Sequence, residues 1–179
     1  MKKHRVYVLI AVWIIGGSIM VAAAKQNSGK AEFSRTTIDL GMVVSDVEKA
    51  ATFYTEALGF KELSSFEVSA QMASDTGLTD SRPFKVRVFV LGEGPTATNL
   101  KIMTIPGAGS KKVDNQYIGS SLGFRYLTIS VANLTKTMER LQQHGVAPVK
   151  EPYRLGGDNY LILVKDPDGN TIELIGPRP

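Results

Sequence analysis

DPDGNTIELIGP, residues 166–177, combines a tight turn with an apolar strand. Proline presets φ and Gly169 tolerates positive φ, and a tight hairpin turn needs both properties. Period-two alternation in the strand places Ile172 and Leu174 on one face and Glu173 on the other. Burying a charge is costly unless it is paired, so a carboxylate inside an apolar strand needs an explanation. Glu173 is therefore predicted to be a solvated residue, a metal ligand or half of a buried ion pair.

The first 24 residues have the layout of a secretory signal peptide. A basic segment, Lys2–Arg5, precedes an apolar run, and Ala22–Ala24 offers small residues for cleavage. An uncleaved membrane anchor is the alternative, because the 19 residues from Val6 to Ala24 approach the roughly 20 that span a bilayer. The Gly16–Gly17 pair weakens such a helix and favours cleavage. We therefore expect an exported protein, periplasmic or extracellular, with an N-terminal membrane anchor as the alternative.

Cleavage of that segment would change the net charge of the chain and the residue types available for a functional site. It contains three Lys or Arg and no acid, so the net charge falls from +4 to +1. The basicity thus belongs to the export signal and gives no reason to expect a nucleic-acid partner. The chain has no Cys, which excludes disulfides, thiolate metal sites and cysteine nucleophiles. The one remaining histidine, His144, lies in the last turn of a predicted helix, where interaction with the helix dipole is a simpler explanation than a ligand role.

The rest of the chain contains two segments with the same order of predicted elements. Residues 25–35 are polar and are predicted to be a flexible leader, and residues 36–177 form a single domain with modules 36–106 and 121–177. MVVSDVEKA aligns with ISVANLTKT at an offset of 87, and LKIMT aligns with IELIG at an offset of 72. Each module is predicted to contain a strand, a helix and three further strands. The predicted fold class is α+β with two tandem βαβββ modules.

Local signals place several elements more closely. Ser45 and Glu48 form a capping-box pattern at the start of the first helix, and Gly59 is a plausible stop. The polar segment 71–82 is predicted to hold one short helical turn. In the second module, a strand is expected around residues 147–149, before the strands at 159–165 and 171–175.

These segments resemble the vicinal oxygen chelate (VOC) superfamily, which includes glyoxalases, bleomycin-resistance proteins and extradiol dioxygenases. Three stretches carry the resemblance: IDLGMVVSDVEKAATFYTEALGFKEL, GFRYLTISVANLTKTMERLQQHGV and DPDGNTIELIGP. In that family each module curls its sheet, and paired modules form a cup that holds a metal and a small substrate. The resemblance implies a glyoxalase-like fold with a cup-shaped mixed sheet, and a small-molecule ligand as partner.

Members of this family take their metal ligands, usually His, Gln or Glu, from four strand positions. The resemblance places these positions at Asp39, Lys101, Tyr126 and Glu173. Glu173 has a usual ligand side chain and Asp39 can coordinate a hard cation, but the Lys101 ammonium repels a divalent ion. We therefore expect no metal cofactor. A divalent metal held by Glu173 and Asp39 is the alternative.

We predict instead that Lys101 takes the place of the cation. Its ammonium would pair with Glu173, Asp39 or both, and the Tyr126 hydroxyl would complete the network. The structural alternative is that Lys101 extends to the rim while Glu173 is half exposed. Arg87, inside the apolar run FKVRVFVL, is a further candidate that can bind a carboxylate or phosphate if it faces the cup. Alternation alone does not show which face of the strand Arg87 occupies.

Two functions follow from the resemblance. The preferred one is an exported protein that binds a small organic molecule in a metal-free cup, as bleomycin-resistance proteins do. The alternative is a glyoxalase-like lyase, isomerase or dioxygenase in which Glu173 is the general base or a metal ligand. Lys101 or Tyr126 would then be the acid or the oxyanion stabiliser. A homodimer is also compatible, since many relatives dimerise, whereas no membrane partner is expected after cleavage.

Overall fold

The structure, a computed structural model, describes residues 33–178 except residues 36 and 95. The predicted signal peptide, residues 1–24, and nearly all of the predicted leader lie outside the described residues. Within the described part of the chain, no helix is both long and apolar enough to cross a membrane.

The predicted fold class is confirmed, because each half of the domain forms its own four-stranded mixed sheet. The strand orders are β1-β4-β3-β2 in the first sheet and β5-β8-β7-β6 in the second. The first module contains β1 (Leu40–Val43), α1 (Val47–Thr52), β2 (Lys61–Val68), α2 (Ala70–Asp75), β3 (Phe84–Val90) and β4 (Asn99–Met103). The second module contains β5 (Tyr126–Ser130), α3 (Leu134–Gln143), β6 (Tyr153–Gly156), β7 (Asn159–Lys165) and β8 (Thr171–Pro177).

The two sheets repeat the same register at their centres. β1 pairs with β4 in parallel, with Gly41 opposite Lys101, and β5 pairs with β8 in parallel, with Thr128 opposite Glu173. One face of each sheet packs against α1 or α3. The other, which we call the open face, carries Lys101 in the first sheet and Glu173 in the second, because alternate residues point to opposite sides.

The main core lies between the helices and the covered faces of both sheets. Its largest fully buried side chains are Tyr54, Phe89, Ile102, Leu134, Leu141, Ile162, Val164, Ile172 and Leu174. A second apolar cluster forms where α2 packs on part of the first open face, with Ala73 buried against Val86 and Val88. The predicted short helical turn is therefore α2, and it covers part of the open face that carries Lys101.

The DPDGN turn joins the two modules through a buried carboxylate. Asp166, which is 5% exposed, accepts hydrogen bonds from the Tyr54 hydroxyl (3.2 Å) and from the Asn170 side-chain amide (2.9 Å). The backbone N–H groups of Asp168 and Asn170 also donate to it, at 3.0 and 2.7 Å. We call Asp166, Tyr54 and Asn170 the Asp166 clasp. It connects the first helix to the last hairpin, so the turn motif also holds the modules together.

A second link runs from α3 to the end of the first helix. That helix continues beyond Thr52 as a π-helical turn, Phe53–Ala57. Arg140 donates to the carbonyl oxygens of Ala57 (2.9 Å) and Leu58 (3.1 Å), which have no helical partners at a helix end. Gly59 then adopts a φ of +84°, so the predicted helix stop is confirmed.

Two local predictions are wrong. The first helix is capped by Asp46, whose carboxylate accepts from the N–H groups of Glu48 and Lys49, and Ser45 instead donates its N–H to Asp168 across the module boundary. The strand expected around residues 147–149 is replaced by β6, which begins at Tyr153. Proline at 148 and 152 removes ladder donors there, which prevents an earlier start.

Tyr54 makes the stability of the fold sensitive to alkaline pH. The pKa of its hydroxyl lies far above the usual value. The main cause is burial of the side chain, and the negative charge of Asp166 raises the pKa further. An unfolded tyrosine ionises near pH ~10 while native Tyr54 stays protonated, so the unfolded state binds fewer protons above that pH. This residue should therefore lower the free energy of unfolding by about 1.4 kcal/mol per pH unit above pH ~10.

Urea unfolding at about pH 8 and about pH 11 would measure this effect, with Tyr54→Phe as the comparison. The variant should be less stable near neutrality, because it lacks the clasp hydroxyl, yet lose less stability on going to alkaline pH. An equal loss in both proteins would contradict the assignment to Tyr54.

Candidate functional site

The open face of the first sheet brings Asp39 and Lys101 together. Lys101 lies in β4 and Asp39 immediately precedes β1, and Lys101 Nζ is 3.0 Å from Asp39 Oδ2. Gly41, directly opposite Lys101 in register, has no side chain, which leaves room for the lysine to extend toward Asp39. The ion pair is partly buried, with 14% of the Asp39 side chain exposed and 35% of that of Lys101.

Three donors from the described part of the chain, Lys101 among them, hold Asp39. Arg35 donates to Oδ2 at 2.7 Å, and the Asn99 side-chain amide donates to Oδ1 at 3.2 Å. The hydrogen bond from Lys101 is the main reason that the pKa of Asp39 lies below its usual value, and Arg35 lowers it further against the effect of burial. Asp39 is therefore a charged carboxylate with both oxygens already occupied.

The open face of the second sheet carries Glu173 and Tyr126. Glu173 Oε1 accepts a hydrogen bond from the hydroxyl of Thr128 at 2.9 Å, the residue directly opposite it in β5. Tyr126 lies two residues before Thr128 at the start of β5 and is 52% exposed. Its hydroxyl makes no hydrogen bond with any residue that the structure describes. Glu173 is partly exposed and retains one oxygen for another partner.

The predicted network is therefore divided into two half-sites within one chain. The Asp39–Lys101 pair forms the first half-site, and Glu173 with Thr128 forms the second. Among the described residues no ion pair joins Lys101 to Glu173, so the predicted pairing with Asp39 is present and the predicted pairing with Glu173 is not. The difference arises locally, because Thr128 supplies a partner for Glu173 where the equivalent Gly41 supplies none for Lys101.

This donor set does not fit a divalent metal. Both Asp39 oxygens are occupied, Lys101 places a positive charge among the four positions, and Tyr126 offers only a phenol hydroxyl, which is not among the usual ligands of these ions. Glu173 alone remains, and one carboxylate is fewer ligands than Zn²⁺, Mn²⁺ or Ni²⁺ sites use. Over the described ranges, no group of three or more His, Asp or Glu side chains is placed to hold a metal ion.

Arg87 lies on the opposite, helix-covered face of the first sheet. It is opposite Ile102 in register, so its side chain is on the other side of the sheet from Lys101. It forms a bidentate ion pair with Glu62, at 2.8 and 2.7 Å, and a further bond to Glu48 at 2.9 Å. The pKa of Arg87 is raised, mainly because of its hydrogen bonds to Glu62. The structure thus places Arg87 apart from the other four candidates, where it ties α1 to β2.

Sequence reasoning missed three residues that complete the half-sites. They are Arg35, Asn99 and Thr128, which contact Asp39 or Glu173 directly. Thr128 had a signal in the sequence, because it lies two residues from Tyr126 and so on the same face of β5. Arg35 had none, since it is the last residue of a polar leader.

The similarity of this chain to known proteins extends over most of its length. A family model described as the Glyoxalase/Bleomycin resistance protein/Dioxygenase superfamily matches residues 36–174. A lactoylglutathione lyase of Arabidopsis thaliana is 31% identical over 139 residues, which cover 76% of this chain and 43% of the plant protein. A lactoylglutathione lyase of Salmonella typhimurium is 29% identical over 134 residues, which cover 74% of this chain and 85% of that enzyme. The chain thus spans less than half the length of the plant relative.

Solved structures share the fold at lower identity. A glyoxalase family protein of Bacillus cereus superimposes with a TM-score of 0.69 at 18% identity, covering 84% of this chain and 99% of that one. A mutant of glyoxalase I from Zea mays gives a TM-score of 0.59 at 20% identity, covering 80% of this chain and 46% of the maize chain. At these identities the likeness concerns the fold alone.

Proposed function

Since this chain belongs to the glyoxalase/bleomycin resistance protein/dioxygenase superfamily, we propose that it binds a small organic molecule on its open faces without a divalent metal. The observation that carries the proposal is the ion pair between Lys101 and Asp39 at positions where the family resemblance predicts metal ligands. A fixed ammonium group can balance negative charge there, and it excludes a second cation by repulsion.

We also propose that the protein acts outside the cytoplasm. The support is the basic, apolar and small-residue order of its first 24 residues. Fractionation of cells that express the full chain would test the location, with the mature N-terminus identified by mass spectrometry.

An enzyme is the second candidate, favoured by the similarity to lactoylglutathione lyases. In this reading Glu173 would be the general base, because its carboxylate is partly exposed and bonded only to a neutral hydroxyl on the described chain. Lys101 would stabilise developing negative charge on a substrate oxygen. The Tyr126 hydroxyl is free to donate a proton.

Metal content and turnover distinguish these candidates. Protein purified without chelator should contain far less than one Zn, Ni, Mn or Fe ion per chain, and it should not turn over lactoylglutathione when these metals are added. Glu67→Gln, an exposed β2 residue, is the control for Glu173→Gln. Stoichiometric metal or lyase turnover that is lost in Glu173→Gln and kept in Glu67→Gln would contradict metal-free binding and favour the enzyme.

We further propose that a second copy of the chain completes the site. Lys101 and Glu173 do not meet within the described chain, and apolar residues lie exposed beside them: Val43 is 46% and Tyr126 52% exposed. Leu122 and Phe124, just before β5, are fully exposed. Such patches are typical of interfaces.

Light scattering of the original chain should give twice the monomer mass. The double variant Leu122→Ser with Phe124→Ser should give a lower mass. A monomer of the original chain at micromolar concentration would contradict the proposal.

A further inference from the structure

Resting on the proposed function, we propose that Lys101 binds the carboxylate of the ligand, so that the ligands are small organic acids with an apolar body. In the first half-site, a positive charge that keeps unused donors lies beside exposed apolar surface.

The first step is the balance of charge. Asp39 is the acid of this half-site, and two cations, Lys101 and Arg35, share its Oδ2 atom. Its other oxygen accepts from Asn99, so both oxygens are already bonded. Among the described residues of one chain, one positive charge is therefore left without a carboxylate of its own. A partly buried cation in excess favours an anionic ligand.

The second step concerns which cation is available. An ammonium group has three N–H donors, and Lys101 uses one of them on Asp39 among the contacts of the described residues. Arg87 differs, because Glu62 and Glu48 occupy its guanidinium. Lys165 differs too, because it donates to the Asn115 carbonyl at 2.7 Å and to the Thr171 hydroxyl at 2.8 Å. Lys101 thus keeps two of its three donors for a ligand, whereas Lys165 keeps one and the charge of Arg87 is already balanced by two carboxylates.

The third step is the space beside Lys101. Gly41 is directly opposite it, and a methyl group built there would meet only the end of Met103, at 3.9 Å. On the same face, Val43 at the end of β1 is 46% exposed and Met103 lies opposite it in β4, whereas Val88, opposite Lys101 in β3, is covered by α2. A ligand with its carboxylate on Lys101 would therefore place its remaining atoms against apolar side chains. This arrangement suits an aryl or alkyl carboxylic acid.

The experiment compares matched acids and amides by thermal shift and calorimetry. The probes are benzoate and 3-phenylpropionate, each beside its uncharged amide. The proteins are the full chain and its variants Lys101→Met, Lys101→Arg and Lys85→Met. Lys85 is an exposed residue of β3 on the other face of the same sheet, so it controls for the loss of one surface charge.

We expect the acids to raise the melting temperature more than their amides. Lys101→Met should weaken acid binding by about tenfold or more, because it removes a charge-assisted hydrogen bond. Lys101→Arg should retain most of the preference, and Lys85→Met should leave it unchanged.

The outcomes separate this inference from the proposed function on which it rests. Amides that bind as well as acids, or acid binding that survives Lys101→Met, would overturn the role of Lys101 while small-molecule binding stands. Absence of binding by both acids and amides would overturn the inference and count against the proposed function as well. An equal loss in Lys85→Met would reduce the effect to net surface charge and overturn the inference.

Discussion

Replacement of Gly176 by alanine should severely destabilise the second module. Gly176 is buried in β8, and a Cβ at this position would overlap the carbonyl oxygen of Val131 and lie 2.8 Å from its Cγ2. Because the main contact is with backbone, no side-chain rotation can relieve it, and β8 must separate from the end of β5. We expect a loss of about 3 kcal/mol or more in the free energy of unfolding, which lowers the melting temperature by about 10 °C.

Gly41→Ala is the matched control, because Gly41 is also a strand glycine without a positive φ. A Cβ there makes only an ordinary contact with Met103. This variant should be as stable as the original chain or slightly more stable, since alanine restricts the unfolded state. Chemical unfolding of both variants measures the difference. Similar stability of Gly176→Ala and Gly41→Ala would show that β8 does not approach Val131 as closely as described.

Asp166→Ala should have the second large effect, because it removes the acceptor of the Asp166 clasp. The buried hydroxyl of Tyr54 would keep only a weak contact with the Met42 sulfur at 3.7 Å, and two backbone N–H groups would lose their acceptor. Leaving buried donors without partners costs about 1–3 kcal/mol each, so we expect a total loss of about 4 kcal/mol. The measurement is the free energy of unfolding in urea near neutral pH.

Two comparisons test this explanation. Asp158→Ala removes an exposed aspartate from the β6–β7 turn and should change stability by less than about 0.5 kcal/mol. Asp166→Ala introduced into Tyr54→Phe should cost about 1 kcal/mol less than in the original chain, because the hydroxyl is already absent. Strict additivity of the two substitutions would mean that the Tyr54–Asp166 hydrogen bond contributes nothing to stability.

Much of the fold was predictable because its determinants are local. Hydrophobic periodicity and the internal repeat indicated two modules, and turn chemistry placed the last hairpin correctly, where Gly169 has a φ of +85°. The errors also have local causes. Ser45 and Glu48 satisfy a capping pattern, but Asp46 provides the cap while Asp168 of the other module binds the Ser45 N–H. A contact between distant segments therefore overrode a pattern within one segment.

The candidate site was predictable only in part. The repeat predicted Asp39, Lys101, Tyr126 and Glu173 at equivalent strand positions around one cup. The structure places the first two on the open face of the first sheet and the last two on that of the second. The partner of each charge depends on which strands are neighbours and at what register. Register places the Thr128 hydroxyl against Glu173 but Gly41 and Val88, which have no polar side chain, against Lys101, and that difference leaves Lys101 to pair with Asp39.

The sequence by itself determined the α+β class, the two modules, the turn that ends them and the absence of cysteine chemistry, because each depends on residue type and spacing. The tertiary structure alone decided that Arg87 lies on the covered face, that Asp166 joins the modules, and that Lys101 and Glu173 belong to separate half-sites. The physical reason is that ion pairs and buried hydrogen bonds act over about 3 Å, so they depend on distances between segments that are far apart in the chain.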